Sequence, residues 1–197
     1  GSRERIMGII SDELREVRDL FAVPRRTEIT DWSGDMLDED LIEREDMVVT
    51  ITSGGYVKRT ALSEFRSQRR GGKGLSSMAT KEDDVVTTLF VANTHTPMLF
   101  FSSRGMVYKL KVWRLPLGTP QARGKALINL LPLVDGETIS TVLPLPEDEA
   151  KWGDLHVMFA TANGTVRRNS MDAFTNVPSN GKIAMRFEEG SDDCLVA

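Results

Sequence analysis

A chain of 197 residues with 40% hydrophobic and 27% charged side chains holds one large domain or two small ones and has the composition of a soluble globular protein. No apolar run approaches the roughly 18 to 20 residues that a bilayer span needs, and the single cysteine, Cys194, excludes an internal disulfide and a thiolate metal cluster. A reducing cytosol is the expected compartment. The formal net charge of −4 counts mildly against a polyanionic partner, but it hides local blocks. From Asp31 to Asp46 there are eight acids against Arg44; from Gly54 to Gly74, six bases against Glu64; from Arg104 to Lys125, six bases and no acid; from Asp135 to Asp154, six acids against Lys151. Such blocks can fold into a basic rim and an acidic face.

The opening Gly1-Ser2 resembles a cloning scar and is set aside. Ile6, Ile10, Leu14, Val17 and Phe21 recur at helical spacing with charge on the other face, so Ile6–Phe21 is predicted as an amphipathic helix. It lacks a convincing N-cap, as the end of a longer helix would, and Pro24 stops it. Residues 31–46 form an acidic connector. From Met47 onward the pattern is β: MVVTIT, VVTTLFVANT, MLFFSS, MVYKLKVW, TISTVLPL, LHVMFATA and TVRR are short runs of β-branched and aromatic residues separated by turn residues.

These runs repeat. Three times an apolar strand closes on a glycine (Gly55, Gly105, Gly164) and is followed by a strand carrying cations: Lys58 and Arg59, Lys109 and Lys111, Arg167 and Arg168. A second cationic element follows each: Gly72-Lys73-Gly74, Gly124-Lys125-Ala126 and Gly181-Lys182-Ile183. A period of about 50 residues with roughly four strands per unit predicts a mainly β, propeller-like array of about three blades, preceded by one α-helix.

Equivalent positions in a rotating repeat fall on one rim, so the cationic loops would make a curved basic stripe. Duplex DNA carries one negative charge per about 1.7 Å of axis, and such a stripe could hold a bent duplex without reading its sequence. Glycines let backbone N–H groups approach phosphates. The stretch Gly71-Gly72-Lys73-Gly74 is not a nucleotide-binding P-loop, because Gly rather than Ser or Thr follows the lysine. His95 and His156 lie in different repeats without metal-ligand spacing, and Tyr56 and Tyr108 have no neighbouring base to make them nucleophiles. A protein-interaction propeller with a solubilising basic rim and an enzyme with a phosphate loop are the competing classes.

Gln68-Arg69-Arg70-Gly71-Gly72-Lys73-Gly74 is similar to the seven-residue signature box of the bacterial DNA gyrase A family, and Arg25–Ile29, Phe101–Gly105, Ala122–Leu133 and Phe159–Val166 resemble the same family. That resemblance implies that residues 3–30 are the terminal helix of the breakage-reunion and coiled-coil region, 31–46 a linker, and 47–197 part of a β-pinwheel whose blades exchange strands. It implies wrapping of double-stranded DNA by the box, Gln68 to Gly74, and by a rim of Lys58, Arg59, Lys109, Lys111, Arg123, Lys125, Arg167, Arg168 and Lys182. In such an enzyme this piece holds no catalytic residue, no metal and no cofactor. ATP and Mg2+ act through other domains, the gyrase B protein completes an A2B2 enzyme, and the setting is the bacterial cytoplasm and nucleoid. A topoisomerase IV-type domain, whose box is degenerate, is the alternative. The chain stops before a fourth blade, which leaves unpaired blade edges.

Overall fold

The structure, a computed structural model, describes residues 1–24, 26–27, 38–65, 84–188 and 193–196. The chain divides into two compact units, residues 1–35 and 36–197. The first contains helix α1, Arg3–Phe21. Its start corrects the sequence expectation. Ser2, set aside as a tag residue, is the N-cap: its hydroxyl accepts a hydrogen bond from the Arg5 N–H at 3.3 Å, so the helix begins three residues before Ile6. At the other end Ala22 turns extended and donates to the Arg18 carbonyl at 2.7 Å, two residues before Pro24.

The second unit is β. Its strands are β1 Asp46–Thr52, β2 Tyr56–Ala61, β3 Val86–Asn93, β4 Pro97–Ser102, β5 Met106–Lys111, β6 Lys125–Ala126, β7 Ile139–Pro144, β8 His156–Ala160, β9 Val166–Ser170 and β10 Lys182–Ile183. Each apolar run predicted as a strand is one. The described residues form two four-stranded antiparallel sheets, ordered β3-β1-β2-β6 and β10-β5-β4-β7, and the hairpin β8-β9. The third repeat therefore falls short of the expected four strands, adding only a bridge between Thr161 and Leu195.

The fourth strand of each full sheet comes from the following repeat. β6 of the second repeat pairs with β2, setting Ala126 opposite Tyr56 and Lys125 opposite Val57. β10 of the third repeat pairs with β5 in the same way, Ile183 opposite Met106 and Lys182 opposite Val107. The sheets are thus linked by exchanged strands as well as by packing.

The second sheet has apolar neighbours on both faces. One face, with Met98, Phe100 and Tyr108, packs on Met47, Val49, Ile51 and Val57 of the first sheet. The other, with Leu99, Phe101 and Val107, packs on Val157, Phe159 and Phe174 of the third repeat. This explains why β4 is an unbroken apolar run buried at every position rather than an alternating one. Phe101, Phe159 and Phe174 meet edge to face with ring centroids 5.3 to 6.2 Å apart, the arrangement that aromatic quadrupoles favour.

Candidate nucleic-acid interface

The cationic strands do not all present their charge to solvent. On β2 the Lys58 side chain lies alongside the loop of residues 115–122 and is 0% exposed. Its ammonium donates to the carbonyls of Pro120 at 2.5 Å and Thr119 at 3.1 Å. Arg59 Nε donates to the Leu115 carbonyl at 2.9 Å, and the Thr60 hydroxyl to the Gly118 carbonyl at 2.8 Å. The Arg59 backbone exchanges hydrogen bonds with Pro116 and Gly118. Burial pulls the Lys58 ammonium below its ordinary pKa, against an opposing pull from Glu64. Lys58 was expected on the rim; the structure makes it a buried clasp for a loop of the next repeat. Arg59 shares that role.

The same seam recurs one repeat on. Lys109 of β5 is ion-paired to Glu149, donates to the Thr175 carbonyl at 2.7 Å and lies 5.0 Å over the Trp152 ring. Lys111 holds both oxygens of Glu39, at 2.5 and 2.6 Å. Glu39 belongs to the acidic connector, whose residues 38–45 lie along the second sheet: Arg44 pairs with Glu147 at 2.9 Å and the Thr94 hydroxyl donates to the Glu43 carbonyl at 2.8 Å. The acidic and basic blocks are here in contact, not on separate faces.

The Gly-Lys elements present their cations differently. Lys125 and Lys182, on β6 and β10, are both exposed, and Lys182 Nζ donates to the Ala173 carbonyl at 2.7 Å. Their glycines serve the strand exchange. Gly124 has φ +79°, and a Cβ there would overlap the Val57 carbonyl oxygen; Gly181 has φ +86°, and a Cβ would sit 2.6 Å from the Tyr108 ring. Arg123 stacks its guanidinium 3.9 Å over Tyr56. Arg167 and Arg168 on β9 are exposed, with no ion pair or side-chain hydrogen bond among the described residues. The signature stretch Gln68 to Gly74 lies outside the described residues.

The hairpins that carry these strands are held by an acid that sequence reasoning overlooked. Asp84 accepts from the Gly54 N–H at 2.7 Å and the Ser53 hydroxyl at 3.0 Å. Asp193 accepts from the Asn163 and Cys194 N–H groups, both at 2.9 Å. Burial pushes both carboxyls up, but the hydrogen bonds to the charged form outweigh it and both sit below the usual range. The equivalent acid of the second repeat, Glu137, instead turns inward. It accepts from the Tyr108 hydroxyl at 3.2 Å and the Val134 N–H at 3.0 Å. Burial, then the Glu137 charge, pushes the Tyr108 phenol up to about 12. The signal available in sequence was position: Asp84 and Asp193 each lie about 30 residues beyond the turn they close.

Of the two histidines, His95 is structural, its Nδ1 3.1 Å from the Thr94 hydroxyl, while His156 is exposed; the buried Trp152 donates to the Pro146 carbonyl at 2.8 Å. Among the described residues no three metal-ligating side chains gather, and no helix is long and apolar enough to cross a membrane. Arg104, Arg114 and Arg186, all absent from the expected rim, are exposed as well.

The repeat arrangement has a counterpart in known proteins. The model of the DNA gyrase C-terminal domain, β-propeller, matches residues 46–93, 97–146 and 155–195, one segment per repeat. The DNA gyrase A protein of Rickettsia bellii is 50% identical over 196 residues, 100% of this chain and 21% of that protein. Its Salmonella typhimurium counterpart is 45% identical over 192 residues, covering 98% and 22%. This chain thus spans about a fifth of the length of these relatives. A solved C-terminal domain of DNA topoisomerase IV superposes with TM-score 0.66 at 25% identity, covering 79% of this chain and 46% of that one. A solved DNA gyrase A C-terminal domain superposes with TM-score 0.55 at 26% identity, covering 77% and 46%. With its three matched segments taking up most of its length, the chain belongs to the DNA gyrase C-terminal domain, β-propeller, family.

Proposed function

We propose that this chain binds and wraps double-stranded DNA without reading its sequence, as the DNA-wrapping part of a gyrase A protein. The observation that carries the reading is the recurrence of an exposed lysine at the equivalent place in successive repeats, Lys125 and Lys182 on the exchanged strands, joined by the exposed Arg167 and Arg168 of β9, in a chain of this family. Phosphate contacts from such a series need no base readout, and they must repay a bending cost on the order of 1–6 kcal/mol per 20–30 bp. Gln68 to Gly74 adds the densest cationic stretch of the sequence. In the whole enzyme the wrapped duplex is presented for strand passage, so that ATP hydrolysis introduces negative supercoils. ATP and Mg2+ then act in other domains, and the gyrase B protein joins through parts outside this chain in an A2B2 assembly. The segment 3–30 is the end of the breakage-reunion region, and the enzyme works in the bacterial cytoplasm.

A topoisomerase IV-type domain is the second reading, favoured by the closer superposition on that structure. The intact QRRGGKG stretch separates the two. Duplex affinity measured against salt should fall with a log-log slope near −0.9 per phosphate contacted; a slope near zero rejects DNA binding. DNA relaxed around the bound domain should retain positive writhe, and replacing Arg69, Arg70 and Lys73 by Ala in the whole enzyme should abolish supercoiling while relaxation survives. Supercoiling at the original rate would overturn the wrapping role given to Gln68–Gly74, and a whole enzyme that relaxes DNA without ever supercoiling it would favour the topoisomerase IV-type reading.

A further inference from the structure

Lys109, Leu110, Lys111, Trp113, Arg114 and Glu39 line a pocket of about 190 Å³ at the end of β5. Three of its six residues are cations, and they differ in how they are satisfied. Lys109 is taken up by Glu149 and the Thr175 carbonyl. Arg114 lies 4.9 Å over the Trp113 ring and is exposed. Lys111 is held by the two oxygens of Glu39, in a pair whose side chains remain 35% and 27% exposed. The Trp113 indole N–H is buried and has no acceptor. An indole N–H can only donate, and a buried donor without a partner is destabilising.

Glu39 reaches the pocket because its strap is fixed on both sides. His95 Nε2 lies 3.3 Å from the Glu39 carbonyl, the Thr94 hydroxyl binds the Glu43 carbonyl and Arg44 binds Glu147. A carboxylate has two oxygens, and one lysine ammonium uses both, leaving Arg114 and Trp113 without an anion. A phosphate group offers more oxygens and reaches several donors at once. The Lys111–Glu39 pair keeps about a third of its side-chain surface in water, so solvent screens it and a better acceptor can replace Glu39.

We propose that Lys111, Trp113 and Arg114 form a phosphate-binding site that Glu39 occupies in the free chain and that a phosphate oxyanion displaces. Where the phosphate belongs to DNA, the inference rests on the DNA-binding reading above, and the acidic strap then weakens wrapping by masking one contact.

The test is Glu39→Gln, which keeps the shape of the side chain and removes its charge. Duplex affinity should rise, by up to about eightfold at 0.1 M salt, and the log-log salt slope should steepen by about 0.9, one further phosphate. The gain should vanish when Lys111→Met is combined with it. A chain that binds DNA with affinity and slope unchanged by Glu39→Gln overturns the proposal while leaving the DNA reading intact. Inorganic phosphate provides the independent arm, with the Trp113 indole N–H resonance, assigned through Trp113→Phe, as readout. A phosphate-induced shift that is larger in the Glu39→Gln chain establishes the site even if duplex DNA does not bind. A shift with DNA alone assigns it to the duplex backbone. No shift with either overturns it.

Discussion

Lys58 on β2 and Arg167 on β9 occupy the same place in their repeats, three residues after the hairpin glycine, yet their surroundings are opposite. Around Lys58 the loop of the next repeat has closed, and the cation is buried among carbonyls. Around Arg167 no described loop has closed, and the cation faces solvent. The second repeat places Tyr108 there, capped by Glu137. One position in one strand thus serves as a clasp, a buried phenol or a free charge, and what decides among them is the chain that follows it.

The comparison breaks most severely if the following repeat is prevented from docking. Gly124→Ala should cost about 3 kcal/mol or more, because it combines a positive φ with a clash against the Val57 carbonyl. Gly55→Ala has a similar φ, +76°, but open space around its Cβ, and should cost about 1–2 kcal/mol in the same urea titration. Equal losses would mean that turn geometry, not strand exchange, sets the penalty.

Next in size is the clasp. Lys58→Met strands the Thr119 and Pro120 carbonyls and should cost about 2–3 kcal/mol. Arg167→Met at the equivalent place should stay within about 0.5 kcal/mol, as exposed substitutions do. A comparable loss at both would show that Arg167 has a structural partner after all.

The second repeat offers a pH test. Tyr108 holds its proton more tightly folded, up to about 12, than unfolded, near 10.0. Its contribution to stability is therefore fully present below pH 10 and lost as pH rises toward 12, by up to about 3 kcal/mol. In Tyr108→Phe that alkaline loss should be absent from the unfolding profile. The smallest effect on stability comes from Arg167→Gln with Arg168→Gln, which should leave the unfolding midpoint unchanged. In DNA binding the same pair should make the salt slope shallower by about 1.8, two phosphates.

What was legible in the sequence follows the range of the interactions involved. The strands from Met47 to Ser170 and the hairpins at Gly55, Gly105 and Gly164 are local, and β-branched runs ending at glycine announce them. The role of Gly124 and Gly181 was not legible, because the groups they avoid, the Val57 carbonyl and the Tyr108 ring, lie more than 60 residues earlier in the chain. The same distance hid the burial of Lys58, whose acceptors are backbone carbonyls that carry no charge signal. Charge counting found the acidic connector but could not place Glu39 on Lys111, since a block sum says nothing of which side chain meets which. The N-cap at Ser2 is legible only when Gly1-Ser2 is read as part of the helix, since its hydroxyl meets the Arg5 N–H.

The exchanged strands also bear on how the chain is made. Val57 and its partner Lys125 are 68 residues apart, so on the ribosome the first sheet cannot be finished until most of the second repeat has been synthesised. At 5–20 residues per second that wait is roughly 3 to 14 s, during which the edge of β2 is open to other chains. Each repeat then completes its predecessor and leaves its own edge for its successor, so that the nascent domain assembles as an ordered N-to-C sequence of closures.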